Sequence, residues 1–270
     1  MRRARCSAYA FWVAAWLAAS PASAHELLLK SPRPATPGAL VIQVSNGDID
    51  KSINSIDWQD VANVTVARGG GTEVISASNW RIDGVASALT IDGSAPATYL
   101  LGVSTKPKNF EMTKAEFLDY LKEEHIEVAT PELRSDKVIE RYSKHAISYL
   151  QVGAKRTTDF KRPLDYPMQI RMTQNPDSLR VGETARLEVL FHGKPLAGQL
   201  VLGGYEGFGH DANGEPVNKL SLRTNRHGIA SFKISSNGRW YAYLVHMRPL
   251  TDGSADYESF YATTLFDVGR

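Results

Sequence analysis

Histidine is the residue type in this chain whose chemistry narrows the choice of function most. The 270-residue sequence has a single cysteine, Cys6, near its start. Its seven histidines are His25, His125, His145, His192, His210, His227 and His246. A neutral imidazole is a good ligand for first-row transition metal ions. A metal site beyond the first residues must therefore use His, Asp, Glu, Met or backbone groups, and the lone cysteine argues against thiol-mediated partners.

The first residues have the layout of a cleavable secretory signal. A start with three arginines precedes an apolar run over 8–19, and 22–24 is Ala-Ser-Ala, whose small side chains suit signal peptidase. The run is shorter than the ~20 apolar residues that a membrane-spanning helix needs. The sequence therefore predicts a signal peptide over 1–24 and a periplasmic location for the mature protein.

Cleavage at this point would make His25 the first residue of the mature chain. A free α-amine has a pKa of about 7.7 and an imidazole a pKa of about 6.5, so both are substantially deprotonated at neutral pH. Amine and ring nitrogen together could chelate Cu(II), Ni(II) or Co(II), whereas Mg(II) and Ca(II) prefer oxygen ligands. The alternative is that His25 only marks where cleavage falls.

Two internal histidines, His145 and His246, sit among apolar and aromatic neighbours. If the last hairpin pairs symmetrically about Asp252, His246 lies opposite Glu258. Such a pair would either orient the ring for metal binding or satisfy a buried polar group. The candidate metal ligands are therefore His25, His246, His145 and Glu258.

The other histidines are expected to have plainer roles. His192, His210 and His227 lie beside glycine or in polar turn segments, where solvated surface positions are expected. His125 ends a charged helical segment, where a cationic ring interacts favourably with the helix dipole.

Sequence motifs for catalysis or phosphate binding are missing. There is no Gly-x-Ser-x-Gly and no His-Glu-x-x-His, and the glycines at 69–71 and 203–204 lack the context of a phosphate loop. The 31 basic and 29 acidic residues give a net charge of only +2, which is no footprint for nucleic acid. These features favour a binding protein over an enzyme.

Alternating apolar residues between turn signals predict strands through most of the chain. The expected strands lie at 40–44, 61–66, 97–103, 147–152, 187–191, 200–202, 240–247 and 257–268. A Thr-x-x-Glu capping box at 113–116 predicts one helix. A second helix is predicted to begin at Pro131 and to run towards His145.

A polar stretch rich in helix and strand breakers, 155–167, predicts a domain boundary. We expect an N-terminal β-rich domain at 25–155 with helices around 113–145, a linker at 156–165, and a C-terminal immunoglobulin-like or transthyretin-like sandwich at 166–270. The predicted fold class is thus mainly β, with two β-sandwich-like domains and a helical insertion in the first.

Six short strings carry a resemblance to a known family. They are ERYSKHA at 140–146, QVG at 151–153, HGKPLAG at 192–198, GRW at 238–240, VHM at 245–247 and DYESFYAT at 256–263. With them the chain resembles a bacterial secreted family that lacks an established function. Its members are often labelled nickel-uptake-like or cobalt-uptake-like periplasmic components. The resemblance covers nearly all of the mature chain and includes the histidine that follows the signal.

The resemblance implies a periplasmic binding protein for a divalent transition metal, nickel or cobalt, serving an uptake system with a membrane metal transporter as partner. Three alternatives stay open. One is a copper enzyme acting on polysaccharide through a histidine brace, with His246 or His145 as its second histidine. Another is a copper carrier, and the last is a structural envelope domain that binds no metal.

Overall fold

The computed structural model describes residues 26–130, 135–210 and 217–269, which form a mainly β protein. The strands of the first half are β1 Glu26–Lys30, β2 Ala39–Gly47, β3 Ser52–Asn54, β4 Val61–Arg68, β5 Gly71–Val74, β6 Trp80–Asp83, β7 Ala86–Asp92, β8 Ala97–Thr105, β9 Lys108–Thr113 and β10 Lys137–Val152. Those of the second half are β11 Met168–Met172, β12 Thr184–Phe191, β13 Lys194–Pro195, β14 Leu200–Tyr205, β15 Leu220–Arg223, β16 Ile229–Lys233, β17 Gly238–Pro249 and β18 Tyr257–Val268. Helix α1 spans Lys114–Glu123, and short 3-10 turns lie at Trp58–Asp60, Ala77–Asn79, Asp159–Lys161 and Pro176–Ser178.

Within the described residues the strands form three sheets. The largest has nine strands in the order β15-β14-β17-β18-β10-β8-β4-β5, with β9 also pairing with β10. A five-stranded sheet has the order β1-β2-β7-β6 with β3 beside β2, and a four-stranded sheet has the order β11-β12-β13 with β16 beside β12. The nine-stranded sheet is the central layer, so β8 is buried at every position.

The two faces of the central sheet have different coverings. One face, here called the β1 face, packs against the five-stranded sheet and, near the end of β17, against α1 through Phe117 and Tyr261. The other, here called the β12 face, packs against the four-stranded sheet through Leu187, Trp240 and Phe260. Because side chains alternate along a strand, each residue of the central sheet can be assigned to one of these faces.

The central sheet joins both halves of the chain, which corrects the prediction of two separately cored domains. Strand β10 lies beside β18 in parallel register, from Glu140 opposite Tyr257 to Ser148 opposite Leu265. The core on the β12 face likewise contains side chains from both halves. Local sequence patterns locate strands but do not say which strands pair. The broader prediction of a mainly β, sandwich-like fold is confirmed.

The expected linker at 156–165 is packed onto the central sheet. Phe160 and Leu164 are buried in the core of the β12 face. The Asp159 carboxylate accepts a hydrogen bond from the Gly70 amide at 2.9 Å. Although segment 156–165 is mostly polar, two buried apolar side chains and the buried Asp159 carboxylate fix its position on the sheet.

The first predicted helix is confirmed and the second is wrong. Helix α1 begins after Thr113, whose side chain forms the predicted capping box with Glu116. Residues 137–145, expected to be helical, form the first part of β10 instead, whereas the strand expected at 147–152 is confirmed as its second part. The expected helix start at Pro131 lies outside the described residues. Strands β8, β9 and β18 all pair with β10, and this tertiary pairing outweighs local helix signals. In the described ranges no helix has the length and apolar character needed to cross a membrane.

Candidate metal centre

The predicted pair of His246 and Glu258 does not form, because the last hairpin is centred one residue further along the chain. His246 lies opposite Phe260, and Glu258 lies opposite Arg248. The pairing is symmetrical about Gly253, which has a φ of +77° that suits glycine. Moving the centre of a hairpin by one residue moves each partner by two, so the register follows from the turn.

Glu258 is held by two arginines instead. One carboxylate oxygen accepts from Nε and Nη2 of Arg141, at 3.2 and 2.8 Å, and the other from Nε and Nη2 of Arg248, at 3.0 and 2.6 Å. Burial would raise the pKa of Glu258, but these hydrogen bonds and the two positive charges lower the pKa below its ordinary value. A metal ion at Glu258 would have to displace an arginine, so this residue does not fit a ligand role.

His145 is a core residue whose two ring nitrogens are both engaged. Nδ1 lies 2.9 Å from the Ser104 hydroxyl and Nε2 lies 3.1 Å from the Ser143 hydroxyl, and the side chain is 2% exposed. Burial, helped by the nearby His192, lowers the pKa of His145 to about 3. The ring is therefore neutral at neutral pH, but a metal ion could reach it only by opening the core.

His246 lies near the edge of the central sheet, and its ring contacts Gln199 and Phe191. Nδ1 lies 3.0 Å from Oε1 of Gln199, and the ring packs against Phe191 with centroids 4.7 Å apart. Among the described residues, Nε2 has no hydrogen-bond partner. Burial and the charge of Arg248 lower the pKa of His246, so the ring is neutral at neutral pH.

The orientation of Gln199 determines which nitrogen of His246 carries the proton. Nε2 of Gln199 donates to the carbonyls of Leu200 and Val245, both at 3.1 Å. Turning the amide over would set its oxygen against these two carbonyl oxygens, so Oε1 must face His246 as an acceptor. Nδ1 of His246 therefore donates its proton to Gln199, and Nε2 carries the lone pair. A ring fixed in this way through its second nitrogen is typical of metal-binding histidines.

The cleft beside His246 exists because β14 covers only part of β17. Pairing between these strands ends with Leu202 opposite Tyr243, which leaves the later part of β17 at an open edge. The cleft has a volume of about 140 Å³. It is lined by His125, Ile126, Glu127, Leu196, Ala197, Gly198, Gln199, Leu200, Arg223, Val245, His246 and Met247. Sequence reasoning missed Gln199 and set His125 aside, since only tertiary structure brings them to His246.

His25 lies outside the described residues, but the first described residue, Glu26, begins β1 on the β1 face. The Leu27 carbonyl accepts a hydrogen bond from the Thr263 hydroxyl, which fixes β1 on that side of the sheet. The other three candidate ligands lie on the β12 face: His145, His246 and Glu258. The structure thus brings three of the predicted ligands to one face and sets β1 on the opposite one.

Whether the described part of the chain could hold a metal ion by itself depends on how its His, Cys, Asp and Glu side chains are grouped. Over residues 26–130, 135–210 and 217–269, no group of three or more His, Cys, Asp and Glu side chains is arranged to hold a metal ion. Of the predicted ligands in these ranges, only His246 combines a neutral ring, an unpartnered nitrogen and an adjoining cleft. A metal ion at His246 needs further ligands from elsewhere.

Comparisons with known proteins identify the family but no function. No curated protein matches the chain. Similar solved structures include a chimeric titin Z1Z2-Z1Z2 tandem (14% identity, 90% of this chain and 96% of that chain, TM-score 0.19) and the D0-D1 domain of Intimin (11%, 88% and 97%, TM-score 0.19). Another is the Bacteroides ovatus SGBP-B in complex with a mixed-linkage heptasaccharide (9%, 89% and 46%, TM-score 0.21). TM-scores this low carry no argument about this chain.

One family model spans most of the sequence. The model described as "Domain of unknown function (DUF4198)" matches residues 22–248. This range includes the predicted cleavage point, the central sheet up to most of β17, and both Gln199 and His246. The chain belongs to the family of the domain of unknown function DUF4198.

Proposed function

We propose that this chain is a periplasmic binding protein for a divalent transition metal ion and that Nε2 of His246 is one of its ligands. The observation that carries the proposal is the unpartnered nitrogen of His246 beside an open cleft. Nickel, cobalt and copper all accept imidazole ligands. The resemblance noted in the sequence favours nickel or cobalt, with a membrane metal transporter as the receiving partner.

Three features of the His246 environment prepare the ring for a metal ion. Gln199 holds the proton on Nδ1, the aromatic contact with Phe191 fixes the ring plane, and the lowered pKa keeps the ring neutral. A ligand that is already deprotonated and oriented loses little free energy in ordering when the ion binds. His145 and Glu258 offer no unengaged ligand atom, since their polar atoms already have hydrogen-bond or ion-pair partners.

The mature N-terminus supplies the second part of the proposal. The amine and ring of His25 would chelate an ion at the start of β1, on the face opposite His246. Because β1 and His246 lie on opposite faces of the central sheet, we assign the two ligands to separate ions. Periplasmic export is needed for this chelate, because only signal cleavage frees the amine.

Calorimetric titration with nickel, cobalt and copper chlorides tests the proposal. The sample must be the processed protein that begins at His25, purified after export. We expect wild type to bind one of these ions and His246→Ala to bind it at least about tenfold more weakly. His227→Ala is the matched control, because that ring is exposed and its Nε2 accepts from the neighbouring Arg226. Equal affinity in wild type and His246→Ala would refute the role of His246.

A further inference from the structure

The cleft beside His246 is bounded by a second imidazole. His125 lines the same cleft, and it also lines the wider groove of about 420 Å³ between the end of α1 and strands β14 and β15. The two histidines are far apart in the sequence and come from different elements, the loop after α1 and strand β17. Their meeting at one cleft is therefore a property of the tertiary fold.

The backbone at the end of α1 fixes where His125 stands. The Ile126 amide donates to the Leu121 carbonyl at 2.8 Å, and the His125 amide donates to the Lys122 carbonyl at 3.3 Å. These bonds end the helix in a left-handed turn, in which His125 has a φ of +53°. Glycine or asparagine is the usual residue at such a position, because other side chains are sterically disfavoured there. The chain thus carries an imidazole at a position that glycine or asparagine more often occupies.

In the turn after α1, Ile126 is buried against the sheet and the His125 side chain is exposed. Ile126 is buried in the same cluster as Phe117 and Val245, so the loop cannot drift away from β17. The His125 side chain is exposed, and among the described residues its ring has no hydrogen bond, ion pair or ring contact. Both cleft histidines therefore have a ring nitrogen that no described protein group uses.

The charged groups of the cleft are already paired. Arg223 binds the Glu127 carboxylate and also donates to the Gly198 carbonyl at 2.9 Å. The guanidinium charge of Arg223 is therefore balanced locally, and that of Arg248, which lowers the pKa of His246, is shared with the Glu258 carboxylate. Among the described histidine, aspartate and glutamate side chains that line the cleft, the two imidazoles are the ones without a partner.

We propose that His125 is the second protein ligand of the metal ion bound by His246, so that the ion bridges the loop after α1 to the open edge of β17. This inference rests on the proposed function, because it presupposes an ion at His246. Two imidazoles and no thiolate make a donor set that suits Ni(II), Co(II) or Cu(II). The remaining coordination positions are left to water or to a donor from a transporter, which suits an ion that must later be released.

A bridging ion also has a structural consequence. Binding should restrain the loop 124–127, because its position becomes tied to β17 through the metal. The amides of this loop should exchange their hydrogens more slowly when the ion is present. A metal held by His246 alone would leave them unchanged.

The decisive variant is His125→Asn, tested in the full processed protein by calorimetric titration with nickel, cobalt and copper chlorides. Asparagine tolerates the left-handed backbone, so the fold is preserved while the imidazole is removed. We expect at least about tenfold weaker binding, or about 1.4 kcal/mol, and loss of the metal-induced slowing of exchange. His125→Gly, which also suits a positive φ, should behave in the same way, while His227→Asn should bind as wild type does.

The outcomes separate this inference from the proposed function. If His246→Ala weakens binding and both His125 variants bind as wild type does, His125 is not a ligand, and the role of His246 stands. If wild type binds none of the three ions, both proposals fail. The thermal unfolding midpoints of His125→Asn and His125→Gly should be measured without metal. If they equal that of wild type, any loss of affinity is due to the missing ring.

Discussion

Oε1 of Gln199 lies 3.0 Å from Nδ1 of His246, and this contact decides which ring nitrogen is left for a ligand. The amide cannot turn over, since its nitrogen already donates to the carbonyls of Leu200 and Val245. The proton of the neutral ring is therefore on Nδ1 and the lone pair on Nε2. Gln199 is not itself a proposed ligand, but its hydrogen bond leaves Nε2 of His246 free to bind a metal ion.

Removing this acceptor should weaken metal binding without removing a ligand. In Gln199→Leu the ring of His246 loses its fixed tautomer and part of its fixed orientation, so we expect a loss of about tenfold to 100-fold in affinity. Calorimetric titration with the ion that binds wild type measures the loss. Gln174→Leu is the matched control, because Gln174 donates to the Thr184 carbonyl and has no histidine contact. If the two variants bind equally well, Gln199 does not position the ring.

Glu258 should matter for stability and not for metal binding. Glu258→Gln removes the charge that two guanidinium groups share, and we expect a loss of about 2 kcal/mol in the free energy of unfolding. Urea denaturation measures this loss, and metal affinity should stay within about twofold. Glu206→Gln is the control, since its ion pair with Arg33 is largely solvent-exposed and should contribute little. A large loss of metal affinity in Glu258→Gln would reverse this assignment.

His145 should make the fold sensitive to acid. Its pKa is lowered to about 3 by burial, whereas an unfolded histidine has a pKa of about 6.5. Between these values the unfolded state binds a proton that the folded state does not, so the free energy of unfolding must fall as the pH drops below about 6.5. At higher pH neither state binds the proton, and the effect vanishes.

The variant that tests this is His145→Gln, which can still bond to Ser104 and Ser143 but does not titrate. The loss of stability between pH 7 and pH 5, measured by urea denaturation, should be smaller in the variant, by up to about 1.4 kcal/mol per pH unit in the affected range. His227→Gln should lose stability as wild type does. An unchanged pH dependence in His145→Gln would show that this residue is not the source.

Part of this structure could be predicted from the sequence because it depends on short-range patterns. The bounds of β18 and the capped start of α1 follow from alternation and from a capping box. The strand predicted at 240–247 likewise lies within β17. Information of this kind lies within a few residues of the position it describes.

What the sequence could not supply depends on contacts between distant segments. The register of the last hairpin follows from a turn centred on Gly253, and the pairing of β10 with β18 joins the middle of the chain to its last strand. The partner of His246, Gln199, lies 47 residues away and belongs to a loop. No local periodicity links such positions. The predictions of a second helix and of a His246–Glu258 pair were therefore wrong.

The predicted chelate at His25 has its own test. One glycine added before His25 moves the amine into a different chelate ring, so binding at the N-terminus should weaken by at least about tenfold. Because β1 and His246 lie on opposite faces, we expect the same loss in wild type and in His246→Ala. Calorimetry of the extended and unextended forms decides this. Equal affinity of the two forms would exclude the chelate and leave the His246 site untouched.

The central claim, that Nε2 of His246 binds a divalent transition metal ion, is tested most directly by NMR of the histidine rings during titration with Co(II). This paramagnetic ion broadens the signals of nuclei close to it, so each ring reports its own distance from the ion. We predict that the His246 ring signals are broadened beyond detection, together with those of His125, by two equivalents of Co(II), which suffice for both proposed sites, while the His227 signals stay sharp. His246 signals that remain sharp at two equivalents of Co(II) would contradict the account.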